Sequence, residues 1–365
     1  GSGAARVSET VDCVNAHSET HGLGSVGVIV VRLFRPFPVE EFLRALPASA
    51  QRIAVLDRTK EPGSNGEPLY QDVVTALSES LTQGQRETLP RVSGGRYGLS
   101  SKEFTPAMVR AVFEMLNSEA PKRRFTIGIH DDITHLSLDW DNTFQIERAE
   151  NVRALFYGLG SDGTVSANKN SIKIISAQPG HHGQAYFVYD SKKSGAQTVS
   201  HLRFGPEPSN APYLVHSVNF IGCHQFEFVY TTHLLERAAD GATLLLNCPW
   251  PADEAWDRLP RPLQKAIVDK NVRLYAIDAY RVARETGMGT RINTIMQACF
   301  FALAEVMDTH EAIAAIKRSI EKTYGRKGRD LVEKNFAAVD QALAHLQEIT
   351  VAPGRLGVVE PRPTV

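Results

Sequence analysis

The sequence predicts an α/β protein of two domains, each a mostly parallel sheet flanked by helices. Three observations carry that expectation. At 365 residues the chain exceeds the size at which one hydrophobic core usually stops growing. In both halves, short apolar β-branched runs alternate with amphipathic helical stretches, the pattern of parallel strands joined by helical crossovers. Between the halves, residues 131–150 lose that alternation and turn acidic and polar, as a linker does. The expected organisation is therefore a first domain over 1–130, a linker over 131–150, a second domain over 151–350 and a linker tail over 351–365.

In the first domain, Gly3–Asn15 reads as a helix. Val26–Phe34 (VGVIVVRLF) is a continuous β-branched run, which predicts a strand buried on both faces. Arg35-Pro-Phe-Pro38 breaks the chain, and Val39–Leu46 reads as a short helix. Ile53–Asp57 is the next strand, Leu69–Leu81 a helix, and Phe104–Asn117 a helix entered through Thr105-Pro106, where proline suits the first turn. Phe125–Ile129 is the last strand. In the second domain, Val152–Tyr157 reads as a strand, Thr164–Ser176 as a helix and Ala185–Tyr189 as a strand. Tyr213–Phe220, Thr243–Leu246 and Val272–Ala276 supply further strands. Asn293–Met307, His310–Tyr324 and Lys327–Gln347 are amphipathic helices.

Composition narrows the function. Forty Lys and Arg against 41 Asp and Glu leave a formal net charge of −1, so no global basic field favours nucleic acid, and an anionic ligand needs a local site. Apolar stretches such as Val26–Val31 and Cys299–Ala304 are too short to cross a bilayer, which predicts no membrane partner. Gly1–Arg6 has neither the charged nor the apolar region of a secretion signal, so a cytoplasmic or organelle-matrix location, such as a mitochondrial matrix, is expected. Cys13, Cys223, Cys248 and Cys299 are dispersed without a C-x-x-C pair, so they read as reduced thiols rather than metal or iron–sulfur ligands.

The most informative stretch is Ala154-Leu-Phe-Tyr-Gly-Leu-Gly-Ser-Asp-Gly-Thr-Val-Ser-Ala-Asn-Lys-Asn170. An apolar strand enters Gly158-x-Gly160-x-x-Gly163 and a helix follows, the context in which such glycines cradle a phosphate. Lys169 and Lys173 add positive charge to that helix. Asp190 ends the next predicted strand, roughly where a dinucleotide fold places its ribose-binding acid. On spacing alone a nicotinamide or flavin nucleotide fits. Two features favour another ligand: the cationic turn Ser191-Lys192-Lys193-Ser194-Gly195 suits an extra ribose phosphate, and Asp162 is an awkward neighbour for a pyrophosphate unless it caps the helix. A glycine turn that closes the sheet without binding anything is the plainer alternative. Leu56-Asp-Arg-Thr-Lys-Glu-Pro-Gly63 gathers polar groups at a strand end and reads as an interface. His181-His182 reads as exposed. His224, after Cys223, reads as a satisfied buried histidine rather than a metal ligand. Asp131-Asp132 point to opposite sides of a strand end and make a poor metal site. No metalloprotease, nucleophile-elbow or P-loop pattern is present, and no general acid–base pair can be named.

Several segments together resemble the pyruvate:ferredoxin (flavodoxin) oxidoreductase, or pyruvate synthase, family, including pyruvate:NADP oxidoreductase. They include Val31-Arg-Leu-Phe-Arg-Pro-Phe37, Ala54-Val-Leu-Asp-Arg-Thr-Lys-Glu-Pro-Gly63, Gly95-Arg-Tyr-Gly-Leu-Ser-Ser-Lys-Glu-Phe104, Tyr157–Asn170, Val199-Ser-His-Leu-Arg-Phe-Gly205 and Arg291-Ile-Asn-Thr-Ile-Met-Gln297. The resemblance spans nearly the whole chain. It implies a transketolase C-terminal-like domain followed by a Rossmann-like domain of the oxidoreductase gamma type, which binds coenzyme A. Carried over by residue, Gly158, Gly160, Ser161, Asp162, Gly163, Thr164, Val165, Lys169 and Asn170 hold the coenzyme; Lys192 and Lys193 are an electrostatic extension of that set. It also implies a parent enzyme that oxidatively decarboxylates pyruvate to acetyl-CoA. Thiamine diphosphate, Mg and 4Fe–4S clusters would lie in the parent outside this segment. The implied partners are the remaining domains or subunits, a ferredoxin, flavodoxin or fused NADP reductase, and a second copy in a homodimer. This segment alone is expected to be inactive. A stand-alone nicotinamide-dependent oxidoreductase and a ligand-free docking module are the rival readings.

Overall fold

The structure, a computed structural model, describes residues 2–17, 22–130, 133–148, 150–189, 196–208 and 214–362. The chain forms two compact units, the first mainly Gly1–Ile146 and the second Glu147–Ser209 with Leu214–Val365. No helix among the described residues is long and apolar enough to cross a membrane.

The first unit runs α1 (Ser2–Ala16), α2 (Val39–Ala45), β1 (Arg52–Asp57), α3 (Pro68–Thr82), β2 (Arg91–Tyr97), α4 (Pro106–Asn117) and β3 (Arg124–Ile127). Its three strands are parallel in the order β1-β2-β3. Phe104, Met108, Val112, Phe125 and Ile127 form one buried cluster, and Phe42, Val55, Tyr70, Val73 and Leu77 another. Helix starts follow local chemistry. The Thr105 hydroxyl accepts from the Met108 N–H at 3.3 Å, with Pro106 in the first turn. Asp57, buried at the end of β1, accepts from the Leu69 and Tyr70 N–H groups at 3.0 and 3.1 Å and so caps α3. Burial raises the Asp57 pKa, opposed chiefly by those two hydrogen bonds. The polar Leu56–Gly63 stretch is thus partly satisfied within its own unit, since Arg58 also donates to the Gly98 carbonyl at 2.9 Å.

Three departures from expectation stand out in this unit. Strand β2, at the centre of the sheet, was not predicted, because RVSGGRY lacks an apolar run. Its glycines answer to packing: a Cβ on Gly95 would lie 2.2 Å from the Phe125 ring. Val26–Phe34 is not a strand at all. It is irregular, and Val28, Ile29, Val30, Leu33 and Phe34 are exposed. Its composition suits a buried strand, but the unit offers it no hydrogen-bonded neighbour. Finally, part of the expected linker docks against β3: Thr126 donates to the Leu136 carbonyl at 3.0 Å and accepts from the Leu138 N–H at 2.9 Å.

The second unit runs β4 (Val152–Leu159), α5 (Thr164–Ser176), β5 (His182–Tyr189), β6 (Gln197–Gly205), β7 (Val218–Cys223), a one-turn helix α6 (Phe228–Thr231), β8 (Ala238–Asn247), α7 (Ala252–Arg258), α8 (Arg261–Asp269), β9 (Arg273–Ile277), α9 (Ala279–Glu285), α10 (Asn293–Ala304), α11 (Thr309–Tyr324), α12 (Arg329–His345) and β10 (Gln347–Glu348). The seven strands lie in the order β10-β9-β8-β7-β4-β6-β5. Strands β4, β7, β8 and β9 are parallel; β6, β5 and β10 join antiparallel. The expected strand at Tyr213–Phe220 begins instead at Val218, with Tyr213 outside the described residues. The β5–β6 pairing was not anticipated, because polar residues interrupt TVSHLRF.

One face of this sheet is covered by a cluster drawn largely from α5 and α9 to α12, the other by one that includes α7 and α8. Phe300 of α10, fully buried, packs edge-on against Phe156 of β4 and Phe220 of β7, with ring centroids 5.1 and 5.0 Å away. The tail, expected to lead away, lies on this unit: Arg261 donates to the Val359 carbonyl at 2.9 Å, and Gly357 donates to Gln264 Oε1 at 2.6 Å.

Candidate functional site

Strands β4 and β7 are parallel neighbours, and the chain runs on from β4 to β5 on one side of the pair and from β7 to β8 on the other. In open α/β sheets that reversal opens a crevice beyond the strands' C-terminal ends. The glycine loop, from Gly158 in β4 to Gly163 before α5, emerges there, and so does His224, immediately after β7. The two are stitched together, with the His224 N–H donating to the Tyr157 carbonyl at 2.9 Å.

The loop's shape follows from its residues. A Cβ on Gly158 would lie 2.4 Å from the Thr164 hydroxyl, so only glycine lets α5 start this close to β4. Gly163 has φ +91, and a Cβ there would meet the Asn293 side chain at 3.1 Å. Ser161 takes φ 73, strained for a side-chain-bearing residue. Asp162 holds the turn closed. One carboxylate oxygen accepts from the Leu159 N–H at 2.7 Å, and the other from the Thr164 N–H at 2.8 Å, which caps α5. The Gly160 N–H donates to the Ala196 carbonyl at 2.8 Å.

Beneath the loop, Thr164 Oγ1 lies 2.9 Å from His224 Nδ1, both residues buried. Burial lowers the His224 pKa to about 4, with the nearby Asp162 charge opposing the shift, so the imidazole is neutral at pH 7. Asn247 braces the layer below: its amide donates to the His224 carbonyl at 3.0 Å, and its carbonyl accepts from the Ala279 N–H at 3.1 Å. Gln297 ties α10 to α5 through Ser171 Oγ at 3.0 Å. His224 is thus a satisfied core histidine, as the sequence suggested. Its role under the loop was invisible because its partner is 60 residues away.

Three bonds within the loop and one to Ala196 consume the N–H groups of Leu159, Asp162, Thr164 and Gly160, the Asp162 N–H going to the Leu159 carbonyl. The N–H groups of Ser161, Gly163, Val165 and Ser166 have no hydrogen-bond partner among the described residues. That leaves a half-used anion cradle at the start of a 13-residue helix. Its open donors fit a phosphate, and the Asp162 carboxylate beside them limits how much negative charge they can take.

The other expected site residues disperse. Lys169 is exposed on α5, its ammonium 5.3 Å from the Phe187 ring centroid. Asn170 accepts from Ser319 Oγ at 2.7 Å and so joins α5 to α11. Lys192, Lys193 and Asp190, like Asp131-Asp132, lie outside the described residues. No group of three or more His, Cys, Asp or Glu residues that could hold a metal occurs among the described residues. The buried thiols are inert: burial pushes Cys223 and Cys299 up to about 12 and Cys248 up to about 11. A cavity of about 500 Å³ lined by residues of β2 and the turn before β3, and one of about 140 Å³ lined by Val152, Asn219, Arg273 and neighbours, include no loop residue.

The family model for pyruvate ferredoxin/flavodoxin oxidoreductase matches residues 153–345. A second, for pyruvate:ferredoxin oxidoreductase core domain II, matches residues 1–99. A pyruvate-flavodoxin oxidoreductase of Rhodospirillum rubrum is 59% identical over 98% of this chain, which spans 30% of that protein. One from Nostoc sp. is 57% identical over 96% of this chain and 29% of its own length. A probable pyruvate-flavodoxin oxidoreductase of Escherichia coli is 49% identical over 97% and 30%. Among solved structures, a pyruvate oxidoreductase subunit from Thermotoga maritima is 16% identical with a TM-score of 0.43, covering 54% of this chain and 98% of that one.

Proposed function

This chain belongs to the pyruvate ferredoxin/flavodoxin oxidoreductase family, and from that premise we propose that it is the coenzyme A-binding and docking segment of a 2-oxoacid oxidoreductase. The parent would oxidatively decarboxylate pyruvate to acetyl-CoA and CO₂ and pass the electrons to a low-potential carrier. The single observation that carries the assignment is the half-open glycine loop at the switch point of the 153–345 sheet. Coenzyme A, when bound, supplies the thiol that takes up the acyl group.

The chain's own work is binding and orientation. The open N–H groups of Ser161, Gly163, Val165 and Ser166 would hold a phosphate of the coenzyme, at the positive end of α5. These donors are fixed before binding, by the Asp162 cap and by the neutral His224 under Thr164, so little ordering opposes association. The exposed ammonium of Lys169 would draw in the polyanion, and the positive charges of Lys192 and Lys193 would add to that attraction.

Calorimetric titration with coenzyme A, dephospho-coenzyme A, NAD and NADP tests the proposal. Tighter binding of coenzyme A than of either dinucleotide is expected. Tighter NAD or NADP would replace it with the dehydrogenase reading, and no heat from any of the four would leave a docking module.

A further inference from the structure

The cavity of about 500 Å³ in the first unit lies where β2 begins, bounded by the turn that joins α4 to β3. Side chains alternate along a strand, so Arg91, Ser93 and Gly95 share one face of β2, the face on which the Phe125 ring covers Gly95. The Gly94 N–H donates to the Arg123 carbonyl at 3.0 Å, which sets Arg123 beside Ser93 on the neighbouring chain segment. Arg91, Ser93 and Arg123 thus line one space, with Glu119 of the turn at its rim.

Four arginines gather at this end of the sheet, and the fold uses only two of them. Arg52 donates to the Leu116 carbonyl at 3.0 Å and to Asn117 Oδ1 at 3.1 Å, closing the end of α4. Arg124 donates to the Asn65 carbonyl and lies over the Tyr70 ring, 3.8 Å from its centroid. Arg91 and Arg123 are exposed, and neither guanidinium has a hydrogen bond, ion pair or ring contact among the described residues. Ser93 is the converse case. It is 1% exposed, yet its buried hydroxyl has no hydrogen-bond partner. A buried hydroxyl left unpaired is costly, and such a group calls for an occupant that pairs with it.

We propose that this cavity is a binding site for a small organic molecule carrying a phosphate or carboxylate oxoanion. Arg91 and Arg123 present planar donor forks that match such a group, and the Ser93 hydroxyl rotates to donate to it. The volume suits a small ligand. Two arginines against one glutamate leave a single net positive charge in the lining, so the site favours an anion of low charge over a polyanion such as coenzyme A. It shares no residue with the glycine loop, and it stands or falls independently of the coenzyme reading.

Calorimetric titration of the full-length protein with inorganic phosphate and, separately, with acetate tests the proposal. Saturable binding of at least one of the two is expected, and the tighter one identifies the headgroup. Arg91→Met and Arg123→Met should each weaken it about tenfold or more, and Ser93→Ala by a smaller factor. Glu119→Gln should tighten it about threefold, a gain that a misfolded variant cannot produce. Binding of neither anion would overturn the proposal. So would binding that keeps its wild-type affinity in both arginine variants, which would place the anion elsewhere, the glycine loop included.

Discussion

Two apolar runs of similar composition meet opposite fates in this chain. Ala154–Tyr157 of β4 is buried between two hydrogen-bonded neighbours, β6 and β7, and Phe300 packs across it. Gly27–Leu33 has no ladder and stands exposed. Residue type alone does not make a strand; a partner does. In the second unit the partners are within the chain, and the strand end they fix becomes the platform for the glycine loop. In the first unit none of β1, β2 and β3 pairs with the run.

The contrast breaks most visibly at Phe300. Phe300→Ala should cost about 3–5 kcal/mol by leaving a cavity against Phe156 and Phe220, read by urea denaturation. A loss below about 1 kcal/mol would mean that β4 is not held as described.

Next in size is the pH response of His224. Its folded pKa of about 4 lies below the ordinary 6.5, so folding favours the neutral ring. That stability is complete above pH 6.5 and is lost as pH falls from 6.5 through about 4, by about 3 kcal/mol in the limit. Denaturation midpoints of the wild type should fall more steeply over this window than those of His224→Asn. Equal slopes would remove the neutral-histidine account.

Asp162→Asn sharpens the comparison at the loop. It keeps one oxygen for the Thr164 cap, gives up the bond from the Leu159 N–H and removes the charge beside the open donors, so coenzyme A should bind more tightly by about 1 kcal/mol. Unchanged affinity would place the phosphates elsewhere. The smallest effect is expected at the bare run. Ile29→Ser should shift the stability of the 365-residue chain by less than about 0.5 kcal/mol.

Most of the parallel framework was legible, because β4, β8 and β9 are short apolar runs and the C-terminal helices keep a clear period. The glycine-bearing β2 and polar-interrupted β6 were not. The pleat is satisfied there by neighbours: the Phe125 ring fills the place of a side chain at Gly95, and Leu202 and Phe204 of β6 are buried beside polar Ser200 and His201. Helices α7 to α9 escaped because prolines and short lengths hide their period. Val26–Phe34 has the composition of a strand without forming one, because hydrophobicity favours burial and is silent on pairing. At the site, the strand–glycine–helix context located the loop. Asp162, compatible with a phosphate only as a helix cap, accepts from the Thr164 N–H and so caps α5. The Thr164–His224 contact and the distance of Asn170 from the loop depend on the folded chain, and no local spacing encodes them.

The most direct test of the loop assignment is amide exchange across residues 159–166 with and without coenzyme A. The amides of Leu159, Gly160 and Thr164 are already bonded and should change little. Those of Ser161, Gly163, Val165 and Ser166 should slow on addition of the coenzyme. Slowing confined to other parts of the chain, or none at saturating coenzyme, would contradict the account.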